Sequence, residues 1–216
     1  MKGDLSAGDN YVINYTKGVF TIKVAVPTGL SITGQASQYI YGIGEPFKPA
    51  GLTVTVTYAA GEPKTIPNDD PDLVWTFDNA TASAGTNTRD KSVTVKYKEL
   101  PAVTVTEKYI VRTLPWRYTA AASGTTIILY ANEDISSGMQ FDKTITLIGE
   151  RSERKIRRTT QGVIFVVAGS NGNLTLGANV TLDGSGFANN NSALVNIREP
   201  LKTINFPASF FCDHFL

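Results

Sequence analysis

Apolar residues in this chain come in short runs that alternate with polar ones, and each run is soon stopped by Gly, Pro, Asn or Asp. Alternation with a period of two is the pattern of a half-buried strand, so strands are expected almost everywhere. The predicted fold class is all-β, an antiparallel sandwich followed by a short parallel solenoid segment. Hydrophobic residues make up 42% of the 216 residues, enough to bury a core in one to three modules. The single cysteine, Cys212, rules out an intrachain disulfide, so packing alone must hold the fold.

Residues 11 to 26, YVINYTKGVFTIKVAV, alternate on either side of Lys17-Gly18 and predict a hairpin with a two-residue turn. The pattern puts Phe20, Ile22, Val24 and Val26 on the expected core face, with Val19, Thr21, Lys23 and Ala25 opposite. A lone hairpin is marginal in water, so residues 1–27 read as the last strands of a partial module closed by Pro27.

A strand-rich block follows, in which Leu52, Val54 and Val56 share a face, as do Val93, Val95 and Tyr97, and Val103 and Val105. About seven short strands over about eighty residues is the profile of an antiparallel sandwich, with Trp75 as an expected core aromatic. The segments Tyr41-Gly42-Ile43-Gly44-Glu45-Pro46-Phe47, Gly51-Leu52-Thr53-Val54-Thr55-Val56-Thr57-Tyr58 and Ser92-Val93-Thr94-Val95-Lys96-Tyr97 resemble the bacterial immunoglobulin-like domains repeated along surface and adhesion proteins. The domain so identified spans 28–112. The leading hairpin is similar to the final strands of short β-modules that occur in tandem in such proteins. Both resemblances imply a cell-surface or extracellular location.

Beyond Leu114 the runs TTIILYANEDI, KTITLIGE, GVIFVVAG and GNLTLGANVTLDGSG are short strands separated by turns, expected to form coils over 113–200. Ile145, Ile164, Val180 and Leu194, taken as equivalent positions, suggest a repeat array. The segment resembles the opening coils of a right-handed parallel β-helix of the kind found in bacterial surface proteins and polysaccharide-active enzymes. The end, LKTINFPASFFCDHFL, with Phe206, Phe210, Phe211 and Phe215, does not continue the coils, and 201–216 reads as a non-fitting tail of a chain truncated at both ends. Residues Arg112 to Pro115 read as a linker.

Charge excludes some partners. Lys plus Arg total 20 and Asp plus Glu 19, so no bulk field draws the chain to nucleic acid or to an anionic membrane. No stretch reaches the roughly eighteen apolar residues of a membrane span, and MKGDLSAGDNYVINY lacks the basic region and apolar core of a signal peptide. No membrane insertion is expected, and the chain reads as an internal piece of a longer exported protein.

Candidate chemistry is sparse. His214, the single histidine, lies in the tail with Cys212 two residues away, an unpromising setting for a rigid nucleophile–base pair. Asp69, Asp70 and Asp72 offer oxygen ligands for Ca²⁺ but lack the Gly and terminal Glu of a calcium loop, and read as a solvated turn. Asp134 and Asp183 read as alone on their coils, without the acidic cluster a lyase needs. No phosphate-binding loop, dinucleotide fingerprint or nucleophile elbow is present, and Gly169-Ser170-Asn171-Gly172 is a turn. No catalytic residue, metal ligand or cofactor is expected.

The sharpest charge feature is the basic run Arg151, Arg154, Lys155, Arg157 and Arg158, a candidate contact for an anionic glycan or another polyanion. Glu150 and Glu153 dilute it, and a solvated excursion between rungs is the favoured reading. Tyr11, Tyr15, Tyr39, Tyr41 and Trp116 could stack on sugars, although strand aromatics more often pack across strands. The expected function is a non-catalytic structural or adhesive piece of a modular bacterial surface protein, with a host or cell-surface glycan or protein as partner. A fragment of a surface polysaccharide lyase or glycoside hydrolase whose catalytic coils lie elsewhere, and a glycan-binding module, are the alternatives.

Overall fold

The computed structural model describes residues 11–16, 18–85, 87–186, 193–198 and 204–205, and the side chains of 11–16, 19–23 and 204–205 are left aside. The leading hairpin forms as expected. Strands β1 (Tyr11–Thr16) and β2 (Val19–Val24) pair antiparallel with Thr16 opposite Val19, and Gly18 turns the chain at a φ of 80°. The expected core face is corrected at its end, where Val24 and Val26 are 70% and 62% exposed and Ala25 is buried. Alternation fixes a period but not which face is covered, and here the small Ala25 turns inward as the chain enters the next strand. The other positions of that face, 19–23, lie outside the described side chains.

Two compact units follow from the contacts within the chain. The first comprises the described residues of Met1–Tyr39, Pro46–Asp78 and Asn87–Ile110, and the second those of Ile40–Glu45, Asn79–Thr86 and Val111–Leu216. Through residue 112 the strands after the hairpin are β3 (Pro27–Gly34), β4 (Ile40–Gly42), β5 (Leu52–Tyr58), β6 (Lys64–Ile66), β7 (Leu73–Phe77), β8 (Val93–Tyr97), β9 (Val103–Thr104) and β10 (Ile110–Arg112).

In the first unit β3, β5 and β6 form one antiparallel sheet and β7, β8 and β9 another. Val54, Val56 and Ile66 from one sheet pack with Leu73, Val95 and Tyr97 from the other, with Leu100 beside them. This is the two-layer core of an antiparallel sandwich, and the faces read from Leu52, Val54, Val56 and from Val93, Val95, Tyr97 are the buried ones. Trp75 is half-buried against that core; its ring lies 5.4 Å from Phe47, and its indole N–H donates to the Asn68 carbonyl at 3.3 Å. Gly51 holds a φ of 93° where an added Cβ would stand 2.2 Å from the Gln35 carbonyl oxygen, so the turn into β5 admits no side chain.

The second unit begins its long segment with a helix that the strand pattern did not predict. Helix α1 (Leu114–Ala120) starts with Pro115 in its first turn, a position that has no use for an amide N–H. The stretch expected to be a linker is therefore the end of β10, where Arg112 is buried, and the start of α1. Leu114 and Tyr118 are buried in the core of this unit, and the Tyr118 ring meets Phe141 at 4.7 Å.

After the helix come β11 (Thr125–Leu129), β12 (Glu133–Ile135), β13 (Met139–Phe141), β14 (Thr144–Gly149), β15 (Arg154–Arg158), β16 (Phe165–Val167), β17 (Asn173–Leu176), β18 (Val180–Asp183), β19 (Val195–Ile197) and β20 (Ile204–Asn205). They form three parallel sheets, β11-β14-β17-β20, β12-β15-β18 and β13-β16-β19. The chain visits the three sheets in turn and then returns to the first, an arrangement compatible with a solenoid. Alternate residues point inward from every sheet, and Leu129, Phe141, Ile145, Leu147, Ile156, Phe165, Leu174 and Leu176 are fully buried together.

The expected equivalence of Ile145, Ile164, Val180 and Leu194 is corrected by the register. Ile145 lies opposite Leu174, 29 residues on (145 to 174), while Val180 belongs to a different sheet, opposite Arg154. Ile164 and Leu194 are true equivalents, joined by an Ile164 N–H to Leu194 carbonyl bond of 2.9 Å, 30 residues apart (164 to 194). One coil is thus three strands long, and the spacing taken from sequence mixed its faces. The expectation that 201–216 leaves the coil pattern is corrected at Ile204–Asn205, which form β20 and pair parallel with β17, Ile204 opposite Leu174, because the next coil brings its first strand back to the same sheet. The rest of that stretch, 201–203 and 206–216 with Cys212 and His214, lies outside the described residues.

Candidate functional site

The basic run is a rung of the middle sheet, not an excursion between rungs. Residues Arg154–Arg158 form β15, paired parallel with β12 on one side and β18 on the other. Strand alternation then sorts the four cations on this strand. Ile156 and Arg158 point inward and are buried, whereas Lys155 and Arg157 point out and are exposed. The Arg158 Nη1 donates to the Gly162 carbonyl at 2.5 Å and its Nη2 to Gly184 at 3.4 Å, which ties two turns of the chain together. Arg154 Nη2 donates to the Glu150 carbonyl at 3.3 Å. Arg151 projects from the preceding turn with its side chain 90% exposed and pairs with Glu150 at 3.3 Å.

Register brings the two acidic residues read as isolated into line with this strand. Asp134 of β12 stands opposite Arg157, and Arg157 stands opposite Asp183 of β18, so the outer face carries an acid–base–acid ladder. The Arg157 Nε donates to Asp134 Oδ1 at 2.7 Å. Asp183 accepts from the Ser185 hydroxyl at 2.6 Å and from the Ser185 amide at 2.9 Å. Those Ser185 bonds, with the nearby Lys155 and Arg157 charges, hold the Asp183 carboxyl below its ordinary range despite some desolvation. Asp134, Arg157, Arg158, Thr159, Asp183, Ser185 and Gly186 line an open cleft of about 430 Å³.

Rungs about 4.8 Å apart would place carboxylates two rungs apart at roughly the separation of an inverting glycosidase pair. Asp183, held in its charged form by its Ser185 bonds, is poorly set to act as a general acid. The Arg157–Asp134 bond also joins adjacent rungs.

The other sequence candidates are spread out. Asp70 Oδ1 accepts the Asp72 amide at 2.9 Å and Asp72 pairs with Lys98 at 3.3 Å, so the acidic trio builds a turn. Tyr41 is buried, and Tyr39 stacks on Tyr109 at 6.0 Å with Arg89 over its ring at 4.6 Å. The side chains of Tyr11 and Tyr15 lie outside the described ones. Trp116 carries Arg112 over its ring at 4.6 Å, beside a cleft that sequence reasoning missed. The signal was there, since Arg112 ends a strand whose other members, Ile110 and Val111, are apolar and buried.

Comparison with known families bears on the first part of the chain. A family model described as bacterial Ig-like domain (group 3) matches residues 35–112. An immunoglobulin-like domain is therefore present, and the parallel sheets follow it along the chain. No curated protein matches the chain. Domains of this family occur in surface and extracellular proteins, and among the described residues no helix is long and apolar enough to cross a membrane.

Proposed function

We propose that this chain is a non-catalytic structural and adhesive piece of a modular bacterial cell-surface protein, an immunoglobulin-like spacer leading into the opening coils of a right-handed parallel β-helix. The observation that carries this reading is the succession of the matched immunoglobulin-like domain at 35–112 and three stacked parallel sheets. Stacked rungs give reach along one axis, and their outward residues offer a surface on which contacts can be built. The test is surface labelling of the intact bacterium that encodes the chain, with an antibody raised against it and protease shaving as the second readout. Surface signal that shaving removes is the expected result, and antigen confined to the cytosolic fraction overturns the reading. Incubation with acidic and neutral polysaccharides is expected to release no fragments; release would favour the polysaccharide-degrading alternative.

A glycan-binding role is the second reading, favoured by the cleft beside the Asp134–Arg157–Asp183 ladder. The exposed cations Arg151, Lys155 and Arg157 are the ones to change. Arg158 and Arg154 serve the fold, and their loss would confuse binding with stability. Glycan-array binding that disappears in a Lys155→Ala, Arg157→Ala double variant with unchanged circular dichroism supports this role, and undiminished binding removes it.

A further inference from the structure

Arg112 is 4% exposed and forms no ion pair among the described residues, although a guanidinium keeps its charge at any ordinary pH. Its Nη1 donates to the Gly85 carbonyl at 2.7 Å, and its Cζ lies 4.6 Å from the centre of the Trp116 ring. The remaining edge is unsatisfied: Nε and Nη2 are shielded from solvent and have no hydrogen-bond partner among the described residues. A buried cation without a countercharge is costly, and a native structure that keeps one needs a reason.

The setting is well built. Ser83 and Val111 exchange hydrogen bonds, Ser83 N–H to the Val111 carbonyl at 2.8 Å and Val111 N–H to Ser83 Oγ at 3.0 Å, which fixes the 82–85 loop against β10. Arg112, Thr113 and Trp116, with that loop and Val111, line a cleft of about 260 Å³. The space is the size of one sugar ring, and its walls combine methyl groups, an indole, a hydroxyl and the guanidinium.

We propose that this cleft binds a carboxylate-bearing ligand of monosaccharide size, a uronate-class sugar, whose carboxylate takes the Nε and Nη2 edge of Arg112. That edge presents two parallel N–H groups, the geometry a carboxylate accepts in bidentate fashion. The ligand supplies the missing countercharge, and its ring lies among Ala82, Val111 and Trp116. Both edge atoms are shielded from solvent, so binding requires the lining of the cleft to move. The site does not depend on the spacer reading.

The test is titration of the whole chain with sodium glucuronate, followed by the Arg112 Nε–H resonance and by tryptophan fluorescence, with glucose and acetate as the neutral and ring-less probes. Glucuronate is expected to move the resonance and change the Trp116 emission with a midpoint of about 1 mM, the strength of one bidentate pair with partial ring burial. Glucose is expected to do neither, and acetate to bind at least about tenfold more weakly. Arg112→Gln is expected to abolish the response. Should that variant fail to fold, Ala84→Phe, at an exposed residue on the cleft wall, is expected to raise the midpoint at least about tenfold by blocking the space. No movement at about tenfold above the expected midpoint, equal responses to glucose or acetate, or an Ala84→Phe variant that titrates like the parent overturns the proposal.

Discussion

Glu133 is almost wholly buried on β12, and both of its oxygens are engaged. Oε2 accepts the Leu114 amide at 2.6 Å and Oε1 accepts from Arg117 Nη2. Thr113 gives α1 no side-chain cap, so this distant carboxylate satisfies the first turn instead. Burial pushes the Glu133 carboxyl up, while Arg117 and the Leu114 amide pull it back. Removing one partner of such a pair leaves the other buried and charged, so Glu133→Ala is expected to lose about 3 kcal/mol in urea denaturation. Adding Arg117→Met should recover part of that loss, and strictly additive effects would count against the pair. No local sequence signal announces this cap, because the two residues are brought together only when the first coil closes over α1.

A second residue-scale expectation concerns Tyr118. Its hydroxyl donates to Asp142 Oδ1 at 2.6 Å and accepts the Asp142 amide at 2.9 Å, and burial, followed by the Asp142 bond, raises its pKa to about 12 from 10.0. Between those values the unfolded chain has lost the proton and the folded chain keeps it, so stability is full below pH 10 and falls as pH rises toward 12. Tyr118→Phe is expected to lose about 1 kcal/mol at neutral pH and to flatten this alkaline fall, while the other tyrosines contribute equally to both curves. Parallel stability curves from pH 9 to 12 would contradict the assignment.

At the scale of elements, the sequence made most strands plain, missed β15, and left strand partners obscure. The alternation in Arg154-Lys155-Ile156-Arg157-Arg158 has a single apolar member, too little to mark a strand, and its four cations resemble a loop. Pairing on both sides turns it into a rung, because Ile156 is buried and the stem of Arg158 serves as an inward residue. For the same reason the Asp134–Arg157–Asp183 ladder was illegible, since adjacency across rungs depends on coil length and not on spacing along a strand. Close approach between rungs also explains Gly149 at the end of β14, where an added Cβ would stand 2.1 Å from the Asn179 carbonyl oxygen. Asn179 itself holds a φ of 60°, and its Nδ2 donates to the Gly149 carbonyl at 3.3 Å. Neither backbone can retreat without breaking that turn, so Gly149→Ala is expected to destabilise by about 2 kcal/mol in chemical denaturation. A loss below about 0.5 kcal/mol would mean that the turn after β17 gives way freely.

At the scale of the whole chain, each of the two units has a core of its own among the described residues. One unites the antiparallel sheets through Val54 and Val95, and the other runs through the parallel sheets and includes Tyr118, Phe141 and Phe165. The sandwich was legible because its pairings lie between strands whose buried faces each show in their own alternation. The coil repeat was not, because all three faces of a coil present the same apolar rhythm and only hydrogen bonds between rungs tell them apart. In stacked coils each rung is stabilised by its neighbours, so damage to a middle rung spreads both ways. Phe165 sits in such a rung, opposite Met139 and Val195, with its ring 4.9 Å from Phe141. Phe165→Ala removes a fully buried ring and is expected to lose about 3 to 5 kcal/mol. Amide hydrogen exchange should then show protection falling in β13, β16 and β19 together, while the amides of Val54 and Val95 keep theirs. Loss of protection limited to β16 would mean that the rungs do not support one another, and loss extending to Val54 and Val95 would mean that the two cores unfold as one.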